Sequence, residues 1–153
     1  MQALVIMVGL EGSPADEWLI RYAARLAALS DARLQAVYVR AIDNLDQPPK
    51  ARLTKDRQLL GELGGTLREI RAGNPASGLI RAARKAGACQ LVIGSRRRSR
   101  WSRLLTGSTV ADQVLRAAGD LPVQVVNVGR PDKTSDEWRH LDRATAARVP
   151  ASR

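Results

Sequence analysis

Between Gly94 and Ser108 the chain reads Gly-Ser-Arg-Arg-Arg-Ser-Arg-Trp-Ser-Arg-Leu-Leu-Thr-Gly-Ser, which places five arginines, Arg96, Arg97, Arg98, Arg100 and Arg103, in one short stretch. Guanidinium forks match the oxygens of phosphate better than ammonium groups do. Gly94 allows a sharp exit from a strand, and Gly107 removes a side chain immediately before a helix. Ser108 and Thr109 offer hydroxyls beside the unpaired N–H groups that open the helix. The chemistry expected of this loop is recognition of an anion, with Ser95, Arg96 and Arg97 on its entry side. Trp101 can stack on a base or pack against Leu104 and Leu105, and Ser95, Ser99 and Ser102 can bind phosphate or serve the loop.

Such a loop needs rigid flanks. Gln90-Leu91-Val92-Ile93 is a short apolar run that reads as a buried parallel strand. Ser108 to Ala118 has helical spacing, with Val110, Val114, Leu115 and Ala118 expected inside and Asp112 as a first-turn acid.

The chain of 153 residues suits one domain. Its net charge of +10 admits nucleotides, nucleic acid or an anionic surface as partners. Single-strand readers add aromatic platforms, and with no Phe and few Trp and Tyr nucleic acid ranks below a discrete nucleotide site. The one cysteine, Cys89, excludes a disulfide framework or a zinc site and is expected to be buried and inert. The one histidine, His140, lies in the polar segment after Gly129 and is read as a surface residue, so no Ser-His-Asp triad or histidine metal cluster forms in the core. No apolar run reaches the roughly 18 residues of a membrane span and no secretory leader pattern opens the chain, so a cytoplasmic protein is expected.

Taken in order, Ala3 to Val8 reads as a central strand, and Ser13-Pro14 with Asp16 as a capping-box start of a helix running to about Leu29. Its buried face is expected to hold Leu19, Ala23, Leu26, Ala27 and Ser30, with Arg21 and Arg25 on a solvated flank. Arg33 to Val39 is a second strand. Arg40 to Arg52 lacks a core pattern, and a helix follows from about Leu53 to Leu63. Thr66 to Ile70 is a strand near a sheet edge, since it carries Arg68 and Glu69. Asn74-Pro75 starts a helix whose stripe is Leu79, Ile80, Ala83 and Ala86, ended by Gly87. Leu121 to Val128 is a last strand with one partly exposed face or an edge, suited to a dimer seam. This alternation predicts an α/β fold: a doubly wound, Rossmann-like, five-stranded parallel sheet with helices on both faces, over residues 1–128, followed by a polar tail over 129–153. Ligands in such sheets bind beyond the strand carboxyl ends where the strand order reverses. If the first and fourth strands flank that point, Leu10 to Ser13 faces the arginine loop.

These residues resemble the universal stress protein family, whose nucleotide-binding members carry Gly-x2-Gly-x9-Gly-(Ser/Thr). Gly94, Gly107 and Ser108 match its first and third glycines and its hydroxyl residue. Leu4 to Pro14, Gly73-Asn74-Pro75-Ala76 and Gln90 to Gly94 resemble three further family stretches. Two positions depart: Arg97 stands where the family has its second glycine, and Glu11 where it has a shorter acid. The run from Ser95 to Ser108 is similar also to the stress-protein domain within potassium-sensing histidine kinases of the KdpD type.

The resemblance implies an adenine nucleotide alpha-hydrolase-like fold and a non-catalytic sensor domain that takes ATP or cyclic di-AMP and requires no cofactor. In that reading Gly94, Ser95, Gly107, Ser108 and Thr109 hold phosphate, Arg96 and Arg97 neutralise it, and Gly9, Leu10, Glu11, Val37 and Val39 enclose the base. A homodimer through the last strand and sensor-kinase segments are the expected protein partners. The alternative is a ligand-free docking module in which Arg97 has closed the site. Hydrolysis ranks below both, because only Glu11 and Asp112 lie near enough to serve as a metal carboxylate.

Overall fold

A computed structural model describes residues 3–41, 50–95 and 110–127. The elements in chain order are β1 (Val5–Leu10), α1 (Asp16–Leu29), β2 (Arg33–Ala41), α2 (Lys50–Glu62), β3 (Thr66–Ala72), α3 (Pro75–Ala86), β4 (Gln90–Ser95), α4 (Val110–Ala117) and β5 (Val123–Asn127). The five strands form one all-parallel sheet in the order β3-β2-β1-β4-β5. This is the predicted Rossmann-like α/β fold. The strand order reverses between β1 and β4, as the placement of a crevice there requires.

The apolar runs are explained by burial on both faces. Alternation along β1 sends Ile6, Val8 and Leu10 toward Leu19, Ile20, Ala23 and Leu60 of α1 and α2. Met7 goes the other way, joining Val37, Val39, Leu91 and Ile93 against Leu79, Ile80, Val110 and Val114 of α3 and α4. β3 is an edge strand, as its charges suggested. Glu69 there is paired with Arg40 of β2 at 3.0 Å and with Arg57 of α2 at 3.4 Å.

α3 follows its sequence signals closely. Asn74 caps it by accepting from the Ser77 amide at 3.2 Å, Pro75 opens it, and Gly87 ends it with φ of 65°, where an L side chain would be strained.

Other expectations are corrected. α1 begins at Asp16, because Ser13 and Pro14 belong to the preceding turn and the Ser13 hydroxyl bonds Glu11 instead of capping the helix. Ser30 lies exposed beyond the helix end, and Leu26 is only half-buried. α2 starts at Lys50, a turn earlier than expected, β1 lies two residues later, β2, β3 and β4 each run two residues further, and β5 is shorter. Leu115 is 52% exposed, since one position past Val114 turns it away from the sheet. Cys89 is exposed in the turn entering β4. Trp101, Val128, His140 and the tail lie outside the described residues.

Gly78 lies where α3 comes close to the sheet: a Cβ there would stand 2.8 Å from Ala72 Cβ and 3.2 Å from Val39 Cγ1. Overpacking at such a contact costs about 1–3 kcal/mol, while alanine in place of a helical glycine returns about 1 kcal/mol of propensity. Gly78→Ala is therefore expected to lower the urea midpoint, and an unchanged or raised midpoint would show that α3 can lift without loss.

Candidate functional site

The carboxyl ends of β2, β1 and β4 lie side by side. Leu10 pairs with Tyr38, Gly9 with both Val37 and Ile93, and on β4 Gly94 and Ser95 pair with Val126 and Asn127 of β5. The structure thus brings Gly9, Leu10, Val37, Val39, Gly94 and Ser95 to one end of the sheet, with Glu11 directly beyond β1. Arg96, Arg97, Gly107, Ser108 and Thr109 lie outside the described residues.

These positions are not equivalent. Leu10, Val37 and Val39 are at most 1% exposed, with Leu10 in the core under α1 and the two valines in the core under α3. Gly9 is close-packed as well: a Cβ would meet Leu79 Cδ2 at 2.9 Å and Ile93 Cγ2 at 3.2 Å. What these four supply is the position of the strand ends. Glu11, Gly94 and Ser95 are half-buried.

The β1–α1 turn is held by carboxylates. Asp16 is 1% exposed, and its two oxygens accept from the backbone amides of Glu11 at 3.3 Å and Gly12 at 2.9 Å. A capping-box acid would reach the Ser13 amide; Asp16 reaches further back and stiffens the segment carrying Glu11. The Glu11 carboxylate in turn accepts from the Ser13 hydroxyl at 2.8 Å. Gly12 takes φ of 80°, which the tight turn demands and a side chain would resist. Burial pushes the Asp16 carboxyl well above its ordinary range, and the adjacent Asp56 carboxyl adds to the shift, against the opposing amide of Glu11. Burial likewise raises Asp56, despite Arg52 nearby.

Across the crevice, the N-termini of α3 and α4 are tied together. Asn74, already capping α3 through its Oδ1, donates from Nδ2 to Gln113 Oε1 of α4 at 3.2 Å. Thus one side chain sets the first turns of both helices, including the turn that follows Ser108 and Thr109. Sequence reasoning identified Asn74 as a cap and missed its second bond, and it missed Asp56 altogether. An available signal was the spacing of Leu53, Asp56 and Leu60, which places an acid on the buried stripe of α2. Among the described residues no group of His, Cys, Asp and Glu is arranged to hold a metal ion.

The family model for universal stress proteins matches residues 4–127. The chain belongs to the universal stress protein family. It is similar to the sensor protein KdpD of Mycobacterium tuberculosis (strain CDC 1551 / Oshkosh), with 33% identity over 121 residues, 79% of this chain and 14% of that protein. The chain therefore spans about one-seventh of the length of such curated relatives. Among solved structures, a universal stress protein in complex with cAMP superposes with a TM-score of 0.63 at 23% identity, covering 84% of this chain and 100% of the other. The universal stress protein from Archaeoglobus fulgidus in complex with dAMP gives 0.62 at 21% identity, covering 83% and 100%. These likenesses show the fold shared by the family.

The bond between Asn74 and Gln113 should be measurable as an energetic coupling between two helices. Asn74→Ala is expected to cost about 1–2 kcal/mol, by loss of a cap and a neutral hydrogen bond. A double-mutant cycle with Gln113→Ala should return a coupling of about 0.5–1.5 kcal/mol. Additive losses would mean that each residue acts only within its own helix.

Proposed function

We propose that this protein is a nucleotide-binding regulatory domain that takes an adenine nucleotide in the crevice between β1 and β4. The observation that carries this reading is the strand order, which sets the Glu11 segment next to Gly94 and Ser95 at the point of reversal. An adenine ring offers an amino donor, and the Glu11 carboxylate is a half-buried acceptor on a segment whose own amides are held by Asp16. Phosphates fall on the β4 side, where Gly94, Ser95, Gly107, Ser108 and Thr109 supply backbone amides and hydroxyls and Arg96 and Arg97 supply charge. The cAMP and dAMP complexes of the structural relatives support the adenine class of ligand.

In this reading Glu11 and Asp112 have no catalytic duty, and the ligand acts by ordering the 94–109 loop. Two candidates are ATP and cyclic di-AMP. The similarity to KdpD supports a place in potassium or osmotic stress signalling at the cytoplasmic side of a membrane kinase, with kinase segments or a second copy at β5 as the surface that senses the ordered loop. Residues 1–128 form the binding domain, and 129–153 a polar tail.

Calorimetric titration with ATP, with and without magnesium, and with cyclic di-AMP tests the reading. Two or three charge-assisted contacts with base burial support micromolar binding, about −8 kcal/mol, weakening as salt rises. Arg97→Gly should tighten ATP binding if the guanidinium crowds the backbone cradle. Silence toward every nucleotide in the wild-type and the Arg97→Gly chain would instead support a docking module.

A further inference from the structure

Asp16 and Asp56 come from different helices, and each is 1% exposed. Asp16 is engaged through both oxygens by the Glu11 and Gly12 amides. Asp56 has no partner at Oδ2 among the described residues, and its Oδ1 stands 3.8 Å from the Arg52 guanidinium, longer than a hydrogen bond. The two carboxyls nevertheless lie within hydrogen-bonding reach of each other. Two carboxylates cannot bond to one another, because each only accepts; with one proton between them they can. Two adjacent buried anions would also repel in a medium that screens them poorly.

The surroundings favour keeping that proton. Glu11 faces the pair from the β1–α1 turn, Glu17 from α1 and Arg52 from α2, with Lys55 and Glu62 further along the rim of the same concavity. The strands under α1 present apolar groups: Ile6, Val8 and Leu10 of β1, Leu34 and Ala36 of β2, and Val92 of β4. On β3, which packs against α2, Glu69 is already paired with Arg40 and Arg57. Arg52 is therefore the single cation at ion-pair distance from Asp56 among the described residues, set against two further acids.

We propose that Asp16 and Asp56 hold one proton between them, that this proton latches α2 onto the first turn of α1, and that Asp16, so held, is a positioning residue for the segment carrying Glu11. The consequence for ligand binding rests on the nucleotide reading above; the latch itself does not. Loss of the proton leaves two neighbouring anions, separates α2 from α1 and loosens the Glu11 and Gly12 amides. The sign follows from linkage. Both groups hold their proton more tightly in the folded chain, so the stabilisation is complete below the unfolded carboxylate value of about 4 and declines as pH rises through the folded values.

The whole chain can be tested from about pH 5 to about pH 9 by melting temperature, by amide exchange at Glu11 and Gly12 and by carboxyl carbon shifts. Asp56→Asn places a permanent N–H donor against Asp16. The expected result is a melting temperature for Asp56→Asn that rises progressively above wild type as pH increases. Protection of the two amides, corrected for intrinsic exchange, should fall with pH in wild type by about tenfold for each unit of pKa displacement and stay flat in the variant. In wild type alone, the Asp16 and Asp56 carbons should titrate together, above the other aspartates. Parallel melting curves, or two carbons titrating at ordinary carboxylate values, would overturn the latch. An ATP titration at both ends of the range separates the two ideas, because absence of binding at every pH counts against the nucleotide reading while the carboxyl and amide signals still decide the latch.

Discussion

β1 is hydrogen-bonded to β2 on one edge and to β4 on the other, and it buries side chains on both of its faces. A strand so enclosed has no freedom of register: a slip by one residue would exchange Ile6, Val8 and Leu10 with Met7 and Gly9 between two packed layers. Gly9 makes the constraint tighter, since no Cβ fits between Leu79 and Ile93. Everything that follows Leu10 inherits this fixity. The turn through Glu11 and Gly12 starts from an immobile strand end and is fastened again at Asp16, so a polar segment is held at the point where the sheet reverses.

The second side of the crevice is built differently. Its rigidity comes from helix ends, with Asn74 capping α3 and reaching Gln113 of α4. Backbone amides at a helix start carry partial positive charge, and fixing two such starts fixes the field they present to an anion. One side of the sheet end is thus fixed through a strand and the turn that leaves it, the other through two helix starts joined by a side-chain bond.

Much of this was legible in the residues. Doubly buried strands appear as uninterrupted apolar runs, so β1, β4 and the parallel sheet could be read from the runs Ala3 to Val8 and Gln90 to Ile93. α3 was legible to the residue because Asn-Pro and Gly sit at its two ends and each acts locally. α1 was misread at its start because Asp16 bonds amides four and five residues back, a choice made by the turn as a whole. Leu115 was misplaced because α4 has only eight residues and covers a narrow part of the sheet. The spacing of Leu53, Asp56 and Leu60 could have shown an acid on a buried stripe, but not its neighbour Asp16, forty residues away in sequence, because periodicity describes one helix at a time.

The two edges of the sheet are unlike. β3 carries Arg68, Glu69 and Arg71, with Glu69 bound by guanidinium groups from β2 and α2, whereas β5 carries Val123, Val125 and Val126, all half-buried. Charged edges resist the addition of another strand, and apolar ones permit it. Were two copies to pair at β5, each would consume the other's open edge, and the chain reaction that builds a fibre would stop at its first step.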